Sequence, residues 1–428
     1  MTLRAWLIWF FASFFYLYEL VLRISPGTMV DDLMGTLNIT ASGIGMLGAI
    51  YYLSYTPLQL PVGILMDCFG AKLWLTLACL LCGVGSFVFS LSNSFFWILG
   101  ARFIIGIGSA FAWVGLIFLV SHWFKTTRRA LMIGLASSIG MIGGIFGQGP
   151  LASIVQEIGY KETLWILGFF GIVLAVLMFI FIKDDPKQKF HHTKRENLKI
   201  TKNAIRAIKT VCTNKQTWKV ALYSTLILSS TTVFAELWGI SFLQTKFNID
   251  KTLAGFGTSI IYFGWLIGSP IVGFISDDIK KRRPPLIIGG LIATLCILVV
   301  IAVPNTPLWL NFALLFIFGA FSSVQLLTFS MAVELNPTYA RGTAGALNNF
   351  VTMIGGLLLQ PFVGWILTFL WKGGMQNNIP VYSFSDFRMA LFILPLMCFL
   401  GFLLSFSIKE THCKQLKKKK HAFEFHQD

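Results

Sequence analysis

The sequence predicts an all-α polytopic membrane protein, with twelve transmembrane helices in two pseudo-symmetric six-helix bundles. Three observations carry that prediction. The 428 residues are 56% hydrophobic and only 12% charged, with a mean hydropathy of +0.74, against about 45–50% apolar and about 25% charged in a soluble domain. Twelve apolar stretches approach the ~20 residues that cross a hydrocarbon core as a helix. If both termini are cytoplasmic, 27 of the 34 Lys and Arg residues fall on the cytoplasmic side, six on the other, and Arg102 inside a span. That is a strong positive-inside asymmetry.

The spans are expected at 4–26, 42–66, 72–91, 95–121, 130–153 and 162–183, then at 217–243, 252–276, 285–303, 308–332, 342–371 and 386–408. Residues 1–183 form an N-terminal six-helix bundle, 184–216 a cytoplasmic linker, 217–408 a C-terminal six-helix bundle, and 409–428 a basic cytoplasmic tail. The linker is rich in charge, and an amphipathic helix around Ile200 to Val211 is expected to lie on the membrane face. The first apolar stretch is too long for a cleavable signal peptide and is expected to serve as an anchor.

The composition also narrows the function. A net charge of +16 would suggest nucleic acid in a soluble protein, but no soluble domain is available here, so it reports topology and contact with the lipid bilayer. Of seven cysteines, Cys79 and Cys82 make a C-x-x-C inside an apolar helix without a His or acidic neighbour, so they read as packing residues. No P-loop, zinc-type Cys/His spacing or H-E-x-x-H occurs, so neither a metal site nor covalent chemistry is expected.

The halves repeat each other. Gly63-x-x-x-Asp67-x-x-Gly70-x-Lys72 follows the second span, and Gly273-x-x-x-Asp277, followed by a basic run, recurs 210 positions later. Arg129, Gly143, Gly144 and Gln148 become Arg341, Gly355, Gly356 and Gln360 at an offset of 212. Glu19-Leu20 in the first helix has a counterpart in Glu236-Leu237 in the seventh. Matches at nearly one offset argue for duplication of a six-helix unit.

These motifs resemble those of the major facilitator superfamily of secondary transporters. The Gly63 to Lys72 segment is similar to the superfamily signature G-x-x-x-D-[RK]-x-G-[RK]-[RK], with Cys68 and Ala71 where basic residues are usual. Arg102-x-x-x-Gly106-x-Gly108 resembles its fourth-helix motif, and Gly143 to Pro150 its Gly/Pro-rich fifth helix. Within the superfamily, Tyr16 to Met29 with Leu47 to Asp67 look most like bacterial members near the lysosomal dipeptide transporter branch. The resemblance implies alternating access between two bundles and a bacterial inner membrane; both termini are expected in the cytoplasm, and the chain is expected to be a monomer.

A gating role is expected for Gly63, Asp67, Gly70, Lys72, Arg128, Arg129, Gly273, Asp277 and Arg341. Gly63 would let the second helix approach its neighbour, and Asp67 would pair with Arg128, Arg129 or the helix N-terminus near Arg341 in one state only. Charges within spans are costly and mark function: here Glu19, Glu236 and Arg102, with Arg23 near the edge of the first helix. Glu19 and Arg23 share a helix face and can neutralise each other. Glu19 and Glu236 are also placed to carry a proton or to bind a substrate ammonium. Arg102 can clamp a substrate carboxylate or pair with Glu19. Tyr52, Tyr55 and Gln59 form a polar stripe at helical spacing. With Tyr16, Trp113, Gln148, Gln325, Asn348, Asn349 and Gln360 they are candidate walls of a substrate cavity, although each alone is equally an interhelical hydrogen bond. The function expected is transport of a small organic solute (amino acid, short peptide or organic anion), with no cofactor and a proton as the candidate coupling ion. The alternatives are a solute sensor, or a sugar, sugar-phosphate or drug transporter of the same fold.

Overall fold

The computed structural model describes residues 3–184, 205–376 and 379–415. Almost all of them are helical. In the N-terminal half the spans are α1 (Leu3–Ile24), α2 (Ala41–Phe69), α3 (Lys72–Leu91), α4 (Phe95–Trp123), α5 (Thr126–Phe146, continued by Gly149–Ile158) and α6 (Tyr160–Phe181). In the C-terminal half α7 runs from Lys215–Val233 through a π-helical turn, Phe234–Trp238, into Gly239–Phe247. It is followed by α8 (Lys251–Asp278), α9 (Arg283–Ala302), α10 (Leu308–Ser322, continued by Leu327–Glu334), α11 (Arg341–Leu370) and α12 (Phe384–Leu391 with Ile393–Ser405). Among the described residues eleven helices are long and apolar enough to cross a membrane. They become twelve when Val30–Leu37 and Ala41–Gln59, bent by 113°, count as one span.

The duplication foreseen in the sequence recurs in the backbone. The helix Val30–Leu37 ends on left-handed Asn38 (φ 51°), and α7 ends on left-handed Asn248 (φ 52°). Asparagine tolerates that conformation better than other side-chain-bearing residues. Each turn delivers the next long helix two residues later, from Thr40 and from Asp250.

A second repeated device closes each bundle. The Asp184 carboxylate, just beyond α6, accepts hydrogen bonds from the backbone N–H groups of Ala71 (2.7 Å) and Lys72 (3.0 Å) at the start of α3. The Glu410 carboxylate, just beyond α12, accepts from Arg282 (2.8 Å) and Arg283 (2.9 Å) at the start of α9. Both satisfy otherwise orphaned helix N-termini with negative charge. Gly70 is required by this arrangement: its φ is +83°, and a Cβ there would fall 2.7 Å from the Asp184 carboxylate.

The bundles touch along α1–α7, α2–α11 and α5–α8, toward the face opposite the chain termini. Ala41 N–H donates to Tyr382 (2.9 Å), Ser42 N–H to Thr368 (2.9 Å) and Gly149 N–H to Ser259 (2.9 Å). Lys251 pairs with Asp32 at 2.6 Å. Small residues let the backbones meet: a Cβ on Gly45 would lie 2.7 Å from the Gln360 carbonyl, and one on Gly364 2.3 Å from that of Ala41. Toward the face that carries the termini the bundles part, leaving a cavity of about 950 Å³ lined by Gln59, Gly63, Trp113, Arg206, Arg341 and Asn349 among others.

The linker helix departs from expectation. Residues 200–204 lie outside the described set. The helix at 205–212 buries Ala207 and Val211 against Ala221, Ala332, Ala340 and Ala344 of the C-terminal bundle. Its small apolar face finds a protein partner at the cavity mouth, stabilised by Thr210 against the Tyr339 hydroxyl (3.0 Å), and so does not turn toward lipid.

A leucine at Gly45 cannot coexist with the Gln360 and Pro361 backbone, so Gly45→Leu will open the face opposite the termini. Cysteine introduced at Ser42 will then be labelled by a membrane-impermeant maleimide, and continued protection would show that this packing does not keep the face closed. Burial raises the Glu410 carboxyl, but hydrogen bonds from Arg282, Arg283, His412 and Thr411 outweigh it and hold the group below its ordinary value. Its stabilisation is therefore present at neutral pH and lost as pH falls through that depressed value. Glu410→Gln should cost about 1 kcal/mol at pH 7 after solvent screening, lowering the thermal midpoint in detergent, with the gap to wild type closing in acid.

Candidate functional site

Where the two halves meet, two carboxylates, two guanidiniums and a run of tyrosines gather, almost all buried. On α1, Glu19 and Arg23 sit one turn apart, and Arg23 donates to the same Glu19 oxygen from Nη2 (2.6 Å) and Nε (3.0 Å). Tyr51 on α2 donates to that oxygen as well, at 2.5 Å. The neighbouring Tyr52 projects the other way, crosses the interface, and donates to the Glu236 carboxylate of α7. Adjacent residues of one helix thus hold the two carboxylates of both bundles. Glu236 lies within the π-helical turn Phe234–Trp238, a distortion that recurs at functional sites.

Arg102 on α4 differs from both sequence expectations. It neither pairs with Glu19 nor presents a free clamp. Nη1 donates to the Leu22 carbonyl (2.8 Å), Nη2 to that of Arg23 (3.1 Å) and Nε to that of Leu47 (3.5 Å). Its guanidinium also covers the Tyr51 ring at 4.8 Å. The reason is local: α1 stops at Ile24 and passes into the 3-10 turn Ser25–Thr28, which frees carbonyls that lipid cannot satisfy. Arg23 stands over the Tyr55 ring at 4.9 Å, and Tyr55 stacks on Tyr51.

The remaining candidates divide into two groups. Tyr16 and Trp113 pack ring to ring at 4.9 Å, and Trp113 lines the cavity. Asn349 donates across the interface to Gln59 at 2.9 Å, and both line the cavity. Gln148 also crosses it, donating to the Ala235 carbonyl and accepting from Thr258. Within the C-terminal bundle, Gln325 donates to Ser224 (2.6 Å), Asn348 to Thr328 (3.0 Å) and Gln360 to the Thr232 carbonyl (2.8 Å). These three tie helices together. The described residues contain no group of three or more metal-ligating side chains.

Of the gating candidates, the Asp67 side chain lies outside the described set. Gly63 and Gly273 do not serve close approach: a Cβ on either would meet nothing within 4 Å, and Gly63 faces the cavity. Lys72 covers the Phe179 ring at 4.4 Å, Arg129 donates to the Phe124 carbonyl at 3.0 Å, and Arg128 is exposed at the start of α5. Asp277 pairs with Arg282 at 2.6 Å, and Arg282 also pairs with Glu334 at 2.9 Å. Arg341 bonds to Gln415 of the tail. Sequence reasoning passed over Tyr51, because the stripe through Tyr52, Tyr55 and Gln59 selects a different helix face, and over Tyr262 of α8, which is buried beside Gly144.

Two six-helix bundles around a buried charged centre define a secondary-transporter scaffold. The sequence profile described as Major Facilitator Superfamily matches residues 6–360 and again 237–424; the chain belongs to that family. It is 22% identical over 403 residues to a "Probable hexose phosphate transport protein" of Chlamydia pneumoniae, covering 86% of this chain and 87% of the relative. It is 21% identical over 377 residues to a "Probable sulfoacetate transporter" of Cupriavidus necator (82% and 85% covered). To the "D-galactonate transporter" of Escherichia coli it is 24% identical over 360 residues (77% and 81% covered). Its fold superimposes with a TM-score of 0.78, at 16% identity, on a bacterial homologue of the human lysosomal transporter Spinster in an inward-facing, unoccupied conformation, covering 96% and 98% of the two chains. The protein is a multi-pass membrane transporter of the organic-solute-carrying kind, not an enzyme.

Arg102→Gln leaves up to three buried carbonyls without donors, at about 1–3 kcal/mol each. The variant should therefore lose monodispersity and thermal stability in detergent. A stable variant whose only defect is a raised half-saturating concentration would instead make Arg102 a substrate ligand.

Proposed function

We propose that the protein is a proton-coupled symporter for a small organic solute bearing an anionic group, an amino acid, short peptide or organic acid. It works as a monomer in a bacterial inner membrane with both termini cytoplasmic. The observation that carries this reading is the pair of carboxylates held by Tyr51 and Tyr52: Glu19 with Arg23 in the N-terminal bundle, and Glu236 of the C-terminal bundle, which Tyr52 reaches across the interface. The relatives' names support an anion, since hexose phosphate, sulfoacetate and galactonate are all acids. The charge asymmetry supports the orientation, and in it the 950 Å³ cavity faces the cytoplasm.

In this reading an anion entering the cavity competes with Glu19 for Arg23. Protonation of Glu236 turns a pure acceptor into a group that also donates, so the Tyr52 bond that spans the bundles is remade whenever the proton leaves. Proton binding and bundle separation are thereby linked, as alternating access requires. One proton crossing 100 mV supplies about 2.3 kcal/mol, close to a fiftyfold accumulation.

The test is uptake of labelled amino acids, dipeptides and organic acids into proteoliposomes with and without an inward proton gradient. Wild type should concentrate at least one compound above equilibrium. Glu236→Gln should retain exchange but lose gradient-driven accumulation by at least tenfold. Gradient-independent equilibration by wild type would make the protein a uniporter and return Glu236 to substrate binding.

A further inference from the structure

Two seats at the bundle interface are related by the internal repeat. The Tyr52 ring, from the N-terminal bundle, lies against Gly356 of α11, where a Cβ would sit 2.7 Å from the ring. The Tyr262 ring, from the C-terminal bundle, lies against Gly144 of α5, where a Cβ would sit 2.5 Å from it. Tyr52 and Tyr262 are 210 positions apart, Gly144 and Gly356 are 212 apart, and the carboxylates Glu19 and Glu236 occupy corresponding helices. One half of this arrangement is complete, because the Tyr52 hydroxyl donates to Glu236. The other half is open. The Tyr262 hydroxyl, in a residue 4% exposed, has no hydrogen-bond partner, and neither has the second oxygen of Glu19, in a residue 1% exposed. Gln148 approaches Tyr262 but directs its amide to Ala235 and Thr258.

A buried hydroxyl and a buried carboxylate oxygen left without partners are both costly. A partner that serves both must accept from the phenol or donate to it, and must donate to the carboxylate. We infer that Tyr262 is a substrate-contact residue, and that with Glu19 it reads a hydrogen-bond donor, an ammonium or hydroxyl group, carried beside the solute's anionic group. The inference rests on the carrier reading above and narrows its substrate class. Arg23 binds the anionic end, and Tyr262 with Glu19 binds the substituent. A bare carboxylic acid leaves both orphans unsatisfied and is transported poorly. Specificity against it is large because a site built around hydrogen bonds rejects the analogue that lacks them.

The experiment compares wild type with Tyr262→Phe in proteoliposomes supplied with matched labelled series of amino acids, hydroxy acids and the unsubstituted acids. Phenylalanine keeps the ring on Gly144 and removes only the hydroxyl, so folding is expected to be unchanged, as checked by thermal midpoint. For the amino or hydroxy acid that wild type prefers, the half-saturating concentration should rise about tenfold with the maximal rate retained. For the unsubstituted analogue the two proteins should be indistinguishable. Preference for the amino or the hydroxy series says which donor is read. Gly144→Ala, which displaces the ring without removing the hydroxyl, should raise the half-saturating concentration in the same series. Equal half-saturating values in wild type and Tyr262→Phe, or an equal loss for the unsubstituted acid, would overturn the inference while leaving the carrier reading intact. No uptake by wild type from any series would overturn both.

Discussion

Arg102 is the fixed point around which the centre of this protein is arranged. A guanidinium in a lipid-surrounded interior is expensive unless its donors are occupied, and here they are occupied by main-chain carbonyls at the end of α1 and on α2. That choice has structural reach. By holding the carbonyls of Leu22 and Arg23, it lets α1 end abruptly beside Glu19 and Arg23, and it sets the angle at which Arg23 meets its carboxylate. By covering the Tyr51 ring it also fixes the helix that presents Tyr51 and Tyr52 to opposite bundles. A cation that makes no hydrogen bond to either carboxylate thereby braces the main chain beside Glu19 and the helix whose tyrosines hold both.

The internal repeat is most informative where it fails. Its successes are architectural: asparagine turns at 38 and 248, and carboxylate caps from Asp184 and Glu410 onto the starts of α3 and α9. Scaffold elements answer the same hydrogen-bonding demand in both halves and so retain the same solution. At the interface the two tyrosine seats survive, but one hydroxyl is partnered and the other is not. Glu19 is paired with Arg23, whereas among the described residues no basic side chain forms an ion pair with Glu236. A duplicated frame with an unequal centre is what a carrier needs if one side is to handle a proton and the other a solute.

Much of the frame was legible in the sequence, because lipid leaves few choices. Hydropathy alone places the spans within a few residues of α1 to α12, and the near-constant offset exposes the duplication. The charged residues within spans were also found, since their cost makes them conspicuous. What they touch was not. Backbone carbonyls carry no sequence signature, so the partners of Arg102 were invisible. Tyr51 was hidden by the helical stripe that favours Tyr52, Tyr55 and Gln59. Gly63 was assigned close packing from its motif, whereas in this state it borders open space. The linker helix has a small apolar face that fits lipid or protein equally, and only the row of alanines on α10 and α11 decides between them.

At two points the closure between α2 and α11 is main chain against main chain: Gly45 beneath the Gln360 carbonyl and Gly364 against that of Ala41. A plug built from side chains has rotamers, and each excursion admits a thread of water along which protons hop. A backbone seam has no such freedom and can only part as a whole, when the bundles move. In a membrane that stores its energy as a proton gradient, this seam works as insulation. Under the proton coupling proposed above, such a seam keeps the gradient from being dissipated while the carrier waits empty.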